Sequence, residues 1–150
     1  MDKFMERAIE LATENVQEGG QPFGAVLVKN GHLVAEGVNE LHKRFDVSAH
    51  AEMLAIRRAQ KKMHTTVLEG YTMYASGEPC PMCLTAMSFA GIDQVYYCNS
   101  VDDAVDAGLG KSKEIYDDLQ KTKEERSIKM EQMPLSDGQK DPMKIWKKQS

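Results

Sequence analysis

Cysteine is scarce in this sequence: there are three among 150 residues, and two of them form a single C-x-x-C, Cys80 and Cys83. That is too few to staple a disulfide scaffold. It fits a reducing compartment and metal binding, with the cytoplasm as the expected location. Long apolar runs are missing as well. No stretch approaches the roughly 20 apolar residues a membrane helix needs, and residues 1–7, mixed in charge, lack the apolar centre of a signal peptide. Positive charge is not in surplus either: 19 Lys and Arg against 23 Asp and Glu give a formal net charge of -4. A broad nucleic-acid footprint needs the opposite balance. Lys144, Lys147 and Lys148 read as a solvated helix face rather than a basic patch. Internal repeats and low-complexity tracts are absent. What remains is an ordinary globular composition, 41% hydrophobic and 28% charged, in a chain long enough for one domain with a real core.

Hydrophobic spacing lays out the elements. Phe4, Ala8, Ile9, Leu11, Ala12 and Val16 recur at helical intervals, predicting an amphipathic helix over 2–18 that Gly19-Gly20 stops. Residues 25–29 and 33–36 read as strands around Asn30-Gly31, a strong hairpin signal. Residues 41–47 read as a loop. Ser48 is expected to cap a helix over 49–63, its hydroxyl accepting an orphan backbone N–H. A strand follows over 71–75, then a helix over 80–90 ended by Gly91, then a strand over 94–98. Strand, helix and strand in that order predict parallel neighbours with helices on the sheet faces. Beyond, 101–119 looks helical in pieces and 121–126 is a charged linker. Residues 127–133 read as an edge strand, and 141–148 as a terminal helix bearing Trp146.

Two short runs carry chemistry: His50-Ala51-Glu52 and Pro79-Cys80-Pro81-Met82-Cys83. Each falls at the start of an expected helix, where unpaired N–H groups and a partial positive charge favour thiolate over thiol. Cys80 and Cys83, three apart, share one side of a first turn and can grip one ion. The span from His50 to Cys80 holds one helix, one turn and one strand, so two parallel helix starts meet at one end of a sheet. One imidazole and two thiolates leave a tetrahedral zinc ion with an open position, where water's pKa falls from about 15.7 to roughly 7. Glu52, two residues from a ligand, is then placed for proton transfer. Blander readings stand beside this one. A C-x-x-C in a strand–helix context also serves as a thioredoxin-like redox pair. A structural zinc site closes with a fourth ligand, for which His32, His42, His64 and Cys98 are the candidates. Glu52 standing alone would be a surface or helix-dipole carboxylate.

The runs Pro22-Phe23-Gly24-Ala25-Val26, Ala49-His50-Ala51-Glu52 and Glu78-Pro79-Cys80-Pro81-Met82-Cys83 resemble the cytidine and deoxycytidylate deaminase superfamily, and within it the bacterial guanine deaminases. The resemblance covers about residues 3–119 well and the remainder more loosely. It implies an α/β fold, a three-layer α/β/α sandwich with a five-stranded mixed sheet. The whole of 1–150 would form a single zinc-dependent deaminase domain. It also implies a homodimer in which a C-terminal segment, here 127–150, is exchanged between subunits. Carried over by position, His50, Cys80 and Cys83 bind Zn2+ and Glu52 shuttles protons. The backbone N–H of Cys80 and the helix start at Ala51 line the reacting centre. Asn39 binds the base, its amide donating and accepting at once. Phe23 stands near the ring, with a core phenylalanine as its plainer reading, and Phe89 is expected to pack in the core.

The resemblance also has breaks. Relatives carry Asp-Asp in the stretch written here Gly108-Leu109-Gly110-Lys111-Ser112, and the acid is missing. A C-terminal glutamate that contacts guanine in relatives falls on Asp137, one carbon shorter. Guanine offers N1–H and a 2-amino group, both donors, so a buried acceptor carboxylate selects it. The expected activity is hydrolytic deamination of a free nucleobase or related amino-heterocycle, with guanine to xanthine and ammonia foremost. The rivals are tRNA adenosine deamination, cytosine deamination, and a zinc-stabilised binding module without turnover. Against the tRNA enzymes, which usually show Val-Pro-Ile-Gly, stands Gln21-Pro22-Phe23-Gly24.

Overall fold

A computed structural model describes residues 1–150. The chain divides into two compact units, Met1–Asp117 and Asp118–Ser150. The first opens with helix α1, Lys3–Gln17, whose N-cap Asp2 accepts from the backbone of Phe4 and Met5. Strands β1, Gly24–Lys29, and β2, His32–Val38, form the expected hairpin. Its turn residues Asn30 and Gly31 both take positive φ, 51° and 76°, as a tight hairpin requires. After it come α2 (Leu41–Arg44), α3 (Ala51–Met63), β3 (Tyr71–Gly77), α4 (Pro81–Ala90), β4 (Gln94–Asn99), α5 (Val101–Asp106) and α6 (Lys111–Leu119).

The strands order as β2-β1-β3-β4, with β1 antiparallel to both neighbours and β3 parallel to β4 across α4. The parallel pair and its crossover helix are as the sequence implied. Alternation along β1 splits the core in two. Val26 and Val28 meet Leu11 and Phe4 of α1 on one face, with Val38 and Tyr74 beside them. On the other face Ala25, Leu27, Met73 and Ala75 pack against Ala51, Ala55 and Ile56 of α3 and Cys83 and Met87 of α4. This makes three layers, helix on sheet on helix.

The five-stranded sheet is corrected to four strands. Residues 127–133, expected as the fifth, form no ladder. The chain there instead follows a short 3-10 turn, Lys123–Glu125, and Ser127 gives its backbone N–H to the Asp118 carboxylate at 3.0 Å. Alternating Ile128, Lys129 and Met130 is strand-like, but only a paired neighbour converts an extended segment into a strand. Residues 41–47 are not all loop, since Leu41–Arg44 closes one helical turn. The second unit ends in α7, Pro142–Gln149, capped by Asp141.

Two glycines set how closely the helical layers approach. A Cβ on Gly24 would lie 2.4 Å from the Ala8 carbonyl oxygen of α1, and one on Gly37 would lie 2.4 Å from the Ala51 carbonyl oxygen of α3. The second contact seats the first turn of α3 directly on β2. Gly37→Ala should therefore destabilise the protein by about 1–3 kcal/mol through overpacking against backbone. Gly110→Ala, where the nearest atom is a Val105 methyl at 3.7 Å, should stay within about 0.5 kcal/mol of wild type. Paired urea denaturation curves measure both.

Candidate metal centre

Helices α3 and α4 each begin on a ligand-type residue. His50 is the N-cap of α3, in extended backbone, and its side chain makes no capping hydrogen bond. The imidazole turns to the thiols instead, with Nδ1 3.5 Å from Cys80 Sγ and 3.6 Å from Cys83 Sγ. Cys80 is the N-cap of α4, its Sγ accepting from the Cys83 N–H at 3.5 Å, and Pro81 fills the first helical position, where no N–H is needed. Ser48 is not the cap the sequence suggested. Its N–H and hydroxyl both donate to Asp46 Oδ1, at 2.8 and 2.7 Å.

The three donor atoms lie within 4.8 Å of one another. A tetrahedral zinc ion with Zn–N near 2.05 Å and Zn–S near 2.3 Å demands N···S edges of about 3.6 Å. The edges found here match that, so the residues fit the ion. His32, His42, His64 and Cys98 join no such cluster, which removes the fourth-ligand candidates for a closed site.

Charge at the cluster is set by the donors themselves. A hydrogen bond from Cys83, reinforced by one with His50, holds the Cys80 thiol far below the usual thiol range, at about 4. The same hydrogen bond between the two sulfurs, with burial, pushes the Cys83 thiol up. His50 is raised by its contact with Cys80. A bound cation would displace the protons these three donors carry. Glu52, in the first turn of α3, is buried at 6% exposure. Burial pushes its carboxyl up to about 7, the range where a proton is both held and released near neutral pH.

The other expected site residues are distributed as follows. Ala51 is fully buried at the start of α3. Phe23 packs on the core that contains Cys83, its ring 2.8 Å from where a Cβ on Gly77 would stand, at the entry to the Cys80 turn. Asn39 follows β2 and is 1% exposed. Asp137 belongs to the second unit and lies in an exposed turn. Phe89, expected in the core, is 88% exposed on α4; the outward face of the helix is where it falls once Cys83, Met87 and Ala90 face in.

Sequence reasoning missed Tyr116. From α6 its hydroxyl donates to the Pro79 carbonyl at 2.5 Å, one residue before Cys80. Burial, with the negative charge of Glu78 and Cys80 adding to it, pushes this phenol up to about 12, so it remains a donor. Glu78 is fastened too, its N–H to the Asn99 carbonyl and its Oε1 to the Val101 N–H. A single tyrosine on a helix gives no sequence signal of such a contact.

Three donors that could hold a metal ion, with a buried carboxyl beside them on a layered sheet, match the ligand pattern of the zinc deaminases. Comparison with known proteins reaches the same point. Residues 1–99 match the family model "Cytidine and deoxycytidylate deaminase zinc-binding region", and the chain belongs to that family. Among its relatives is the guanine deaminase of Bacillus subtilis (strain 168), 42% identical over 147 residues, which are 97% of this chain and 93% of that protein. The X-ray structure of the Bacillus subtilis guanine deaminase superposes with a TM-score of 0.89 at 40% identity, over 99% of this chain and 95% of that one. The tRNA-specific adenosine deaminase of Aquifex aeolicus (strain VF5) is 30% identical over 97% of this chain and 93% of its own length.

Removing the Tyr116 hydroxyl tests the support of the Cys80 turn. Tyr116→Phe leaves a partly buried carbonyl without its partner and should cost about 1 kcal/mol of stability. Calorimetric melting of the variant beside wild type measures it.

Proposed function

We propose that this chain is a zinc-dependent hydrolytic deaminase of a free nucleobase, with guanine as the substrate and xanthine and ammonia as products. The observation that carries the reading is Glu52, buried in the first turn of α3, two residues from a helix cap that turns to a thiol pair. Likeness to guanine deaminase over 97% of the chain supports the choice of base. His50, Cys80 and Cys83 would hold the zinc ion, which when bound supplies an acidified water and positive charge at the reacting carbon. Glu52 takes a proton from the attacking water and passes it to the ring nitrogen beside the amino-bearing carbon; it then takes the second proton from the hydroxyl now on that carbon and delivers it to the departing amine, the C–N bond breaking as the carbonyl forms. Water in and ammonia out balance the reaction. The Asn39 amide orients the base, Phe23 flanks its ring, the α3 start at Ala51 lines the reacting centre, and Asp137 supplies an acceptor for guanine's donors.

A second reading, tRNA adenosine deamination, draws on the Aquifex relative. A net charge of -4 weighs against a polyanionic substrate. Ammonia release measured across guanine, adenine, cytosine and their nucleosides, with inosine analysis of treated tRNA, separates the readings. Guanine turnover is expected; inosine in tRNA without guanine turnover would overturn the proposal. Glu52→Gln should lower kcat by about 10²- to 10⁴-fold while metal analysis still finds zinc. Full zinc with wild-type turnover would remove Glu52 from the mechanism.

We also propose a homodimer exchanging residues 127–150. Supporting it, β4 ends the sheet with one edge unpaired, and the second unit exposes Ile128, Met130, Met133 and Trp146, large apolar side chains that a partner subunit would cover. Three unpaired cysteines support placing it in a reducing compartment such as the cytoplasm; no helix is long and apolar enough to cross a membrane. Sedimentation should give twice the 16.8 kDa chain mass, and a dimer structure with 127–150 folded on its own subunit would refute the exchange.

A further inference from the structure

Asn39 has an amide whose two ends meet different surroundings. The Leu41 N–H points at Oδ1, 3.2 Å away, and a backbone N–H can only donate, so that end is the oxygen. The other end, Nδ2, therefore faces Gln21 Oε1, at 3.3 Å. Each contact uses half of what its end can do, leaving one N–H and one lone pair free. Reversing the amide would set donor against donor at Leu41, and at Gln21 it would require that side-chain amide to turn over as well.

Gln21 is itself seated. Asn15, on α1 and 2% exposed, donates from Nδ2 to the Gln21 carbonyl at 2.8 Å and to the Asn39 carbonyl at 2.9 Å. The Phe23 N–H donates to the Gln21 carbonyl, and the Asn39 N–H to the Phe23 carbonyl. One buried amide from α1 thereby joins the chain entering β1 to the chain leaving β2. The side chain of Gln21 makes one hydrogen bond, and it goes to Asn39.

We propose that Gln21, seated by Asn15, is a positioning residue that locks the Asn39 amide in one orientation, so that its free donor and free acceptor meet the base in fixed order. The inference rests on the reading of Asn39 as a base contact, and goes beyond it by naming what sets its polarity. Gln21 acts through Asn39 and touches no reacting atom.

The test is steady-state kinetics of the zinc-loaded full-length protein on guanine, comparing Gln21→Met, Gln21→Glu, Asn39→Ala and the Gln21→Met/Asn39→Ala double variant. Methionine keeps the length and removes the acceptor; glutamate keeps the acceptor. Gln21→Met should raise KM about five- to tenfold, the size of one lost hydrogen bond, with kcat within about twofold. Gln21→Glu should return KM to within about twofold of wild type, and Gln21→Met should add nothing on the Asn39→Ala background. Gln21→Ala repeats the comparison without added bulk, and melting temperatures establish that each variant is folded. A KM rise in Asn39→Ala with none in Gln21→Met overturns the inference and leaves the Asn39 reading standing. No KM change in Asn39→Ala sinks that reading and the inference with it. An equal rise in Gln21→Met and Gln21→Glu, or an undiminished effect of Gln21→Met without Asn39, overturns the inference by showing a loss of structure alone.

Discussion

The N-terminal ends of α3 and α4 meet at one end of the sheet, and each spends its cap position on a metal-type ligand. A capping Ser, Thr, Asp or Asn is worth about 1 kcal/mol to a helix. Helix α3 forgoes it, because the His50 ring points to Cys80 and Cys83 rather than to its own backbone. Helix α4 keeps a weak sulfur cap that also belongs to the three-donor cluster. Two features of the sheet make the meeting geometric rather than accidental. Parallel pairing of β3 and β4 returns the chain through α4, and Gly37 lets β2 touch the first turn of α3. Glu52 is buried in that first turn, on a helix whose Ala51, Ala55, Ile56 and Ala59 face the core.

The segment between Asn39 and His50 is held by the helix it leads into. Arg58 of α3 donates to the Glu36 carbonyl and to Glu40, which also pairs with Arg44. Arg57 reaches back to Ser48 and Asp46. Each of these pairs is partly exposed and worth little singly. Their combined effect is positional, since they span a segment that carries a buried amide at one end and a ligand at the other.

Legibility from the sequence follows how local each cause is. The periodic apolar stripe of α1, the Asn30-Gly31 hairpin and the glycine ending α4 depend on neighbours a few residues away, and each is where the pattern places it. The His50-x-Glu52 and Cys80–Cys83 runs were legible for a different reason: metal-ligand chemistry tolerates few residue types and fewer spacings. Ser48 misled because a serine before a helix is a good cap by local rules, while the winning cap was decided by thiols thirty residues on. The fifth strand misled because alternation records a half-buried surface and says nothing about whose edge completes it. Tyr116, Asn15 and Gln21 each form one or two long-range hydrogen bonds, and a polar residue aimed inward looks the same in sequence as one aimed at water.

Recognition, under the proposed reading, turns on a small ledger of donors and acceptors. Guanine presents neighbouring donors, and the stretch where relatives carry an acid here reads Gly110-Lys111, with the Lys111 ammonium out in solvent against Glu114 at 3.6 Å. That position offers the base no acceptor. Under that reading the free lone pair of Asn39 bears more of the selection. A carboxylate accepts in every orientation, whereas a primary amide accepts at one end and donates at the other. Freely turning, an amide would welcome either polarity of ring edge and discriminate little; an unmatched polar contact costs about 1–3 kcal/mol only when the site cannot rearrange to avoid it. Where that acid is missing, the proposed reading passes part of the specificity from the charge of a group to the rigidity around the Asn39 amide, whose Oδ1 accepts from the Leu41 N–H and whose Nδ2 meets Gln21 Oε1.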